Sequence, residues 1–282
     1  MSGKEVAERE KEEIRGAVSI LPRVPKLAVI MVGDNSASQS YVRGKEKDCI
    51  ECGIDCEIHQ FNDSMTQGEL CRVIQDLNCR IDVDGILVQL PLPNHIDKTA
   101  VIEQISPDKD VDCFRAENFG KLALGYPTFM PCTPLGVIDL LNAYHIEIAG
   151  KNCVIVGRSD IVGKPMASLL INKGGTVTVC HSKTKDVSMH TRNADLIICA
   201  VGKPGFLTAD MVKDGVVVVD VGINLGKDGR LCGDVDFASV SKKCSAITPV
   251  PGGVGLMTRS ALLKNVVKAC AMRMFQTIPA IK

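Results

Sequence analysis

Seven short runs of Val, Ile and Leu recur along this 282-residue chain, and they constrain its fold more than any other feature. They cover Leu27–Val32, Gly85–Leu90, Cys153–Val156, Thr176–Cys180, Leu196–Val201, Val216–Val221 and Ala246–Val250. Each is nearly continuous in apolar side chains rather than alternating, which is the pattern of a parallel sheet covered on both faces. Longer amphipathic segments lie between them: Ser2–Ser19, Ala37–Cys52, Gln67–Leu77, Pro134–Tyr144, Gly163–Asn172 and Met257–Gln276. The first should stop near Ser19, because Pro22 drives Leu21 out of helical geometry. Alternation of this kind reads as a doubly wound α/β fold, and the length fits two domains or one large one. The best boundary is Gly125–Pro134, with three prolines. The last helix has no strand after it, and packing back on the first domain would make that domain discontinuous.

Composition narrows the function. A hydrophobic content of 45% excludes a largely disordered chain. The 33 basic and 33 acidic side chains cancel, which argues against a nucleic-acid binder. No apolar stretch reaches the ~18 residues of a membrane span, and the charged start, Met1 to Arg15, is not a secretory signal. The thirteen cysteines sit mostly in apolar runs, as in an intracellular protein. Cys49, Cys52, Cys56 and His59 are spaced like four metal ligands. Gly53 should end a helix between them and put Cys56 and His59 on the next strand, with no second knuckle to close a site. The expectation is buried thiols and no metal.

Several segments carry chemistry-bearing residues. Cys153–Pro165 reads as strand, turn and helix start, with Gly157 and Gly163 bracketing the turn so that backbone N–H groups can face a phosphate. Ser159 stands where the usual G-x-G-x-x-G has its second glycine. About 20 residues on, the next strand ends in His181-Ser182-Lys183-Thr184, with no acid. Hydroxyls and cations there, together with Arg158, favour NADP over NAD. An ordinary solvated strand end is the alternative. After the first strand, Tyr41 and Lys45 are i,i+4 neighbours on a helix that Ser36 or Ser38 can cap. Gly44 between them implies close approach of another group, because glycine costs a helix ~1 kcal/mol. A lysine snorkelling over a half-buried tyrosine is the commoner arrangement. Gln89 is the one polar side chain in its run and needs a partner or a pocket. Lys109-Asp110-Val111-Asp112 offers a further acid, although such charge runs are usually solvated loops. Thr248–Gly255, with two prolines and three glycines, reads as a ligand-approach loop or a hinge.

Taken together these residues resemble the bifunctional methylenetetrahydrofolate dehydrogenase/cyclohydrolase family. The matching blocks are Tyr41–Lys47, Gly85–Pro93, Lys109–Asp112, Pro131–Pro134, Gly157–Pro165, His181–Thr184, Asp220–Asn224, Gly233–Val235 and Thr248–Thr258, in the family's order. The resemblance begins at about Gly3-Lys4, without the family's short leading strand. It implies NADP-dependent oxidation of 5,10-methylenetetrahydrofolate to the methenyl form, then hydrolysis to 10-formyltetrahydrofolate, a supply of one-carbon units for purines. It also implies a cytoplasmic homodimer with a folate substrate, acting on no nucleic acid or membrane. A catalytic α/β domain would cover 1–132, completed by helix 259–282, and a Rossmann-type NADP domain with a parallel sheet would cover 133–258, with folate in the cleft between them. By the same resemblance, Lys45 is the cyclohydrolase acid/base, Tyr41 and Gln89 its neighbours, and Asp112 the pterin anchor. Gly157, Arg158, Ser159, Ser182, Ile223 and Thr258 line the NADP site, and Pro251, Gly252 and Gly253 lie near folate. Two departures stand out: Cys113 where the family has glycine, and Leu256 where it has proline, which loosens that loop.

Hydride transfer from a carbon between two nitrogens needs no hydroxyl base, and no His/Asp dyad is legible. Hydrolysis does need proton transfer, which a lysine of lowered pKa can supply. A monofunctional dehydrogenase would lack Lys45, and a non-catalytic NADP sensor would have no use for Tyr41, Lys45, Gln89 and Asp112 together.

Overall fold

The runs that need cover on both faces receive it in two separate parallel sheets. The computed structural model describes residues 1–126, 128–226 and 229–276, and the chain divides into two compact units. One comprises Arg9–Gly120, Thr128–Cys132 and Arg259–Lys282; the other comprises Met1–Glu8, Lys121–Pro127 and Thr133–Thr258. Residues 277–282 of the expected closing segment lie outside the described residues.

Helix α1 (Gly3–Ser19) opens the chain and ends ahead of Pro22. The first of these units then runs β1 (Lys26–Val32), α2 (Ser36–Glu51), β2 (Asp55–Phe61), α3 (Gln67–Cys79) and β3 (Gly85–Val88). The strands are parallel in the order β2-β1-β3, with Leu27 opposite Cys56 and Gly85. Leu27, Ala28, Val29 and Ile30 are all fully buried, so both faces of β1 are covered. One face packs Ala28, Ile30 and Val32 on Leu70, Ile74 and Leu77 of α3. Thr66 and Glu69 form a capping box at the start of α3. The cap of α2 is Asn35, whose side chain accepts the Ser38 N–H at 3.0 Å, rather than Ser36 or Ser38. Gly53, at φ +73°, ends that helix as expected and passes the chain to β2. Two short helices, α4 (Lys98–Ile102) and α5 (Ala116–Ala123), have too few turns to register as a period.

The rest of the chain runs α6 (Cys132–Ala143), β4 (Asn152–Val156), α7 (Gly163–Asn172), β5 (Thr176–Cys180), α8 (Val187–Thr191), β6 (Leu196–Cys199) and β7 (Val217–Asp220). It continues with the hairpin β8 (Asn224–Leu225) and β9 (Leu231–Cys232), then α9 (Phe237–Val240), β10 (Ala246–Ile247) and α10 (Val254–Gln276). The sheet order is β10-β7-β6-β4-β5, all parallel. Its core joins Val154, Val156, Cys180, Ile197, Cys199 and Val218. Four strands are shorter than their apolar runs: β3 ends at Val88, β6 at Cys199, β7 at Asp220 and β10 at Ile247. Pro91, Pro249 and Pro251 lack the N–H that would continue β3 and β10. Among the described residues no helix is long and apolar enough to cross a membrane.

Candidate active site

In each sheet the strand order reverses once, between β1 and β3 and between β4 and β6. Open α/β sheets bind ligands outside the carboxyl ends of the strands at such a reversal. At the first reversal, α2 leaves β1 and carries Tyr41 and Lys45, while Gln89 follows β3 directly. The Gln89 N–H still donates to the Ile30 carbonyl at 2.8 Å, and this holds its side chain at the sheet edge. Lys45 Nζ donates to Gln89 Oε1 at 3.0 Å, and Gln89 Nε2 donates to the Leu90 carbonyl at 2.7 Å, which fixes which end of the amide faces the lysine. Lys45 therefore does not snorkel. Burial lowers its pKa, and the nearby Asp112 carboxylate opposes that shift.

Tyr41 is 39% exposed; burial raises its pKa and the Arg259 guanidinium opposes this. The close approach implied by Gly44 is that same guanidinium, which a Cβ on Gly44 would overlap. Arg259 Nε lies 2.9 Å from Asp48 Oδ2, and Lys11 Nζ lies 3.1 Å from Asp48 Oδ1. Neither Arg259 nor Lys11 was legible as part of this region; the mid-helix glycine was the one signal.

The 109–112 run is not a solvated loop. Lys109 and Asp110 are 2% and 1% exposed. Lys109 Nζ donates to the carbonyls of Leu77, Asn78 and Arg80 at 2.7–2.9 Å and so closes the end of α3. Asp110 accepts from Phe114 N, Arg115 N and Asn118 Nδ2, and burial raises its pKa. With both neighbours anchored, Asp112 is the partly exposed acid of the run. The Cys132 thiol beside it is buried and donates to the Val111 carbonyl at 3.5 Å, and burial together with the Asp112 charge raises its pKa well above the ordinary thiol value. Asn265 Nδ2 donates to Val111 O at 2.7 Å and Met130 O at 2.8 Å, bracing both segments. Cys113 explains itself in part: its φ of +58° is the conformation glycine favours, and its thiol donates to Phe129 O at 3.1 Å.

At the second reversal, Gly157 follows β4 with φ +129°, and a Cβ there would overlap the Ala200 carbonyl beyond β6. A Cβ on Gly163 would in turn overlap the Gly157 carbonyl. Ser159, where the usual motif has a glycine, accepts at Oγ from Val162 N at 3.2 Å and Gly163 N at 3.4 Å and so braces the turn that leads into α7. Arg158 and Ser182 are both exposed, at the ends of adjacent strands β4 and β5. Arg158 has no ion-pair partner among the described residues. A turn too tight for any Cβ, a free cation and a hydroxyl at one sheet edge fit a nucleotide carrying an extra phosphate. Ile223 is 47% exposed, with Gly255 next to it. Thr258 Oγ1 lies 3.1 Å from Thr133 Oγ1.

Asp220 and Asp234 form a buried pair that sequence reasoning saw only as motif letters. Asp220 accepts from the N–H groups of Gly222, Asp234 and Val235. Burial pushes its pKa up to about 6. Asp234 accepts from Val201 N, Gly202 N, Lys203 N and Asn224 Nδ2, which ties the loops after β6 and β7 together. Gly222 and Gly233 are glycines because a Cβ on either would strike the other loop's carboxylate. In the 248–255 segment, Gly252 has φ +98° and its carbonyl accepts the Gly3 N–H at 2.9 Å, with Pro251 exposed beside it and Gly253 buried. Leu256 does not loosen a loop: it lies in the first turn of α10 and packs on Val6, Ala7, Leu140 and Met257. Among the described residues no group of three His, Cys, Asp or Glu side chains is placed to hold a metal ion.

Residues 1–112 match the tetrahydrofolate dehydrogenase/cyclohydrolase catalytic domain, and residues 131–274 match the NAD(P)-binding domain of the same family. The chain belongs to the tetrahydrofolate dehydrogenase/cyclohydrolase family. A relative within it, the bifunctional protein FolD of Campylobacter concisus, is 56% identical over 95% of this chain and 96% of its own length. The crystal structure of the bifunctional FolD dehydrogenase/cyclohydrolase of Campylobacter jejuni superposes with a TM-score of 0.95 at 54% identity, covering 96% of this chain and 98% of that one. The Trypanosoma brucei enzyme of the family, solved with NADP cofactor and inhibitor, gives 0.93 at 38% identity, covering 97% of each chain.

Proposed function

We propose that this protein oxidises 5,10-methylenetetrahydrofolate with NADP and hydrolyses the methenyl product to 10-formyltetrahydrofolate, with Lys45 as the proton-transfer group of the hydrolysis. The observation that carries this reading is the Lys45–Gln89 hydrogen bond at the sheet reversal, beside Asp112. Bound NADP supplies the hydride acceptor for the oxidation. The chain's task in that step is positioning, because the two nitrogens flanking the reacting carbon stabilise the cation that forms. Arg158 and Ser182 hold the extra phosphate, Gly157 and Ser159 shape the turn, and Ile223 and Thr258 line the rest of the nucleotide site. Asp112 anchors the pterin ring, and Pro251, Gly252 and Gly253 offer backbone to the folate.

In the hydrolysis, water adds to the methenyl carbon and one C–N bond breaks, so a proton must leave the water and another reach the departing nitrogen. Burial destabilises the charged form of Lys45 and lowers its pKa, which eases release of its proton and suits its amine to proton transfer. Gln89 accepts from Lys45 and fixes its direction, and Tyr41 stands one turn before it on α2. The same reading carries a folate domain of 1–132 completed by helix 259–282, an NADP domain of 133–258, and a homodimer in the cytoplasm; light scattering in solution tests the dimer.

The deciding experiment mixes the protein with methylenetetrahydrofolate and NADP+ and quantifies NADPH, methenyl and 10-formyl products separately. NADPH together with enzyme-accelerated 10-formyl product is expected. In Lys45→Ala the hydrolysis should fall by about 10²–10⁴-fold while NADPH still forms. Hydrolysis at the parent rate in that variant would remove Lys45 from the mechanism.

A further inference from the structure

Arg259 lies against the helix that carries Tyr41 and Lys45, and nothing above gives it a task. On α2, Tyr41, Gly44, Lys45 and Asp48 form one stripe, because residues three and four apart share a helix face. The Arg259 side chain runs along that stripe. Its Nε is 2.9 Å from Asp48 Oδ2. One turn nearer the start of α2, a Cβ on Gly44 would overlap its Nη1 and come within 3.5 Å of its Cζ. The outer end of the guanidinium is thus carried back from Asp48 toward the turn that bears Tyr41. Gly44 is what makes the room, at a cost to the helix of ~1 kcal/mol.

The fold has other fasteners here. Lys264 Nζ lies 2.6 Å from Glu10 Oε1, Ser260 Oγ donates to the same carboxylate, and Asn265 ties the Val111 and Met130 carbonyls. Asp48 also receives Lys11 Nζ at 3.1 Å, so one buried carboxylate faces two cations. Its contact with Arg259 Nε is a charge pairing without hydrogen-bond alignment. Nη1 and Nη2 of Arg259 meet no acceptor among the described residues. The side chain is 24% exposed, which leaves it open to a ligand while part of its charge stays shielded from water.

We propose that Arg259 contacts the substrate: its Nη groups hold a carboxylate of the glutamyl tail of the folate, on the α2 face that carries Tyr41 and Lys45. A tetrahydrofolate has its reacting carbon at the pterin end and two carboxylates on the glutamate at the other end. With the pterin at Asp112 and the reacting carbon at Lys45, the molecule still needs a hold on its charged tail. A guanidinium offers two parallel N–H groups, a fork that matches a carboxylate. The bond is made equally before and during the reaction, so it acts on affinity rather than on turnover. The identity of the ligand rests on the folate function proposed above.

The test titrates the whole protein calorimetrically with tetrahydrofolate and with its diamide, in which both glutamyl carboxylates are neutral amides of nearly the same size. The parent should bind the diamide about tenfold more weakly, as loss of a charge-assisted pair implies. Arg259→Leu should bind tetrahydrofolate about tenfold more weakly than the parent and should no longer distinguish the two ligands. Arg259→Lys keeps the charge without the fork and should recover part of the affinity. With methylenetetrahydrofolate and NADP+, the loss in Arg259→Leu should appear in KM rather than kcat. A parent that binds both ligands equally overturns the proposal without any variant. So does an Arg259→Leu protein that weakens both ligands alike and still prefers the charged tail. If the parent prefers the charged tail but forms no NADPH, the function proposed above fails and the carboxylate site stands. If NADPH forms and the diamide binds as well as tetrahydrofolate, the site fails and the function stands. Binding of neither ligand overturns both.

Discussion

Replacing Lys109 with Met should change how stability depends on pH, in a direction the structure sets. Lys109 is 2% exposed, and its ammonium is held by three carbonyls at the end of α3. Burial, with Arg273 adding to it, pushes its pKa down to about 8 from the ordinary 10.5. In the window between those values the unfolded chain binds the extra proton and the folded one does not, so stability rises with pH. The full gap corresponds to about 3 kcal/mol, of which about 2 kcal/mol accrues between pH 7 and 9.5. Below pH 8 the folded state carries the whole cost of a buried charge; above 10.5 both states are neutral and the cost is gone. Lys109→Met also leaves the Asn78 and Arg80 carbonyls without this donor, about 1–3 kcal/mol each, but that loss does not vary with pH. The assay is urea unfolding followed by circular dichroism, since the chain has no tryptophan, at several pH values and fixed ionic strength. Other titrating groups cancel when the variant is subtracted. The parent should gain about 2 kcal/mol relative to the variant from pH 7 to 9.5. Parallel curves would mean that the three carbonyls offset the burial completely, and the argument from desolvation would fail.

Three further outcomes follow from the site. Gln89→Leu removes the acceptor of the Lys45 ammonium, so the acid limb of the hydrolysis pH profile should move to lower pH while NADPH formation keeps its profile; an unmoved limb would mean Gln89 does not act on Lys45. Arg158→Ala should weaken NADP by about tenfold or more, as loss of a charge-assisted bond implies, and NAD far less; equal losses in a binding titration would remove Arg158 from cofactor choice. Gly157→Ala forces a Cβ onto the Ala200 carbonyl at a φ of +129°, so a lower melting temperature by several degrees and weaker NADP binding are expected; a protein as stable as the parent would show that the β4–β6 edge gives way.

Much of the fold was legible because it depends on local period. The apolar runs at Leu27–Val32 and Cys153–Val156 needed no partner to be read as buried strands, and Pro22 and Gly53 stop their helices through their own backbone chemistry. The short helices α4, α5, α8 and α9 and the two-residue strands β8 and β9 were not, since elements this brief carry no period. The Asn35 cap was missed because two serines offered the same chemistry one and three residues later.

At the site the division is sharper. The sequence by itself determined which chemistry was present: a lysine and tyrosine one turn apart, an amide at a strand exit, a glycine turn followed by Arg158, and a strand end without an acid. Only the tertiary structure decided what those groups are made to do. Lys109 looked like part of a solvated run and is buried beneath α3, Gly44 is kept bare by Arg259 from α10, and the backbone just before Asp112 is held at the Val111 carbonyl by Cys132 and Asn265. The reason is physical. Helix and strand periods are set by covalent neighbours, whereas burial, pKa and hydrogen-bond direction are set by whatever the fold brings alongside, and those partners lie far away in the chain.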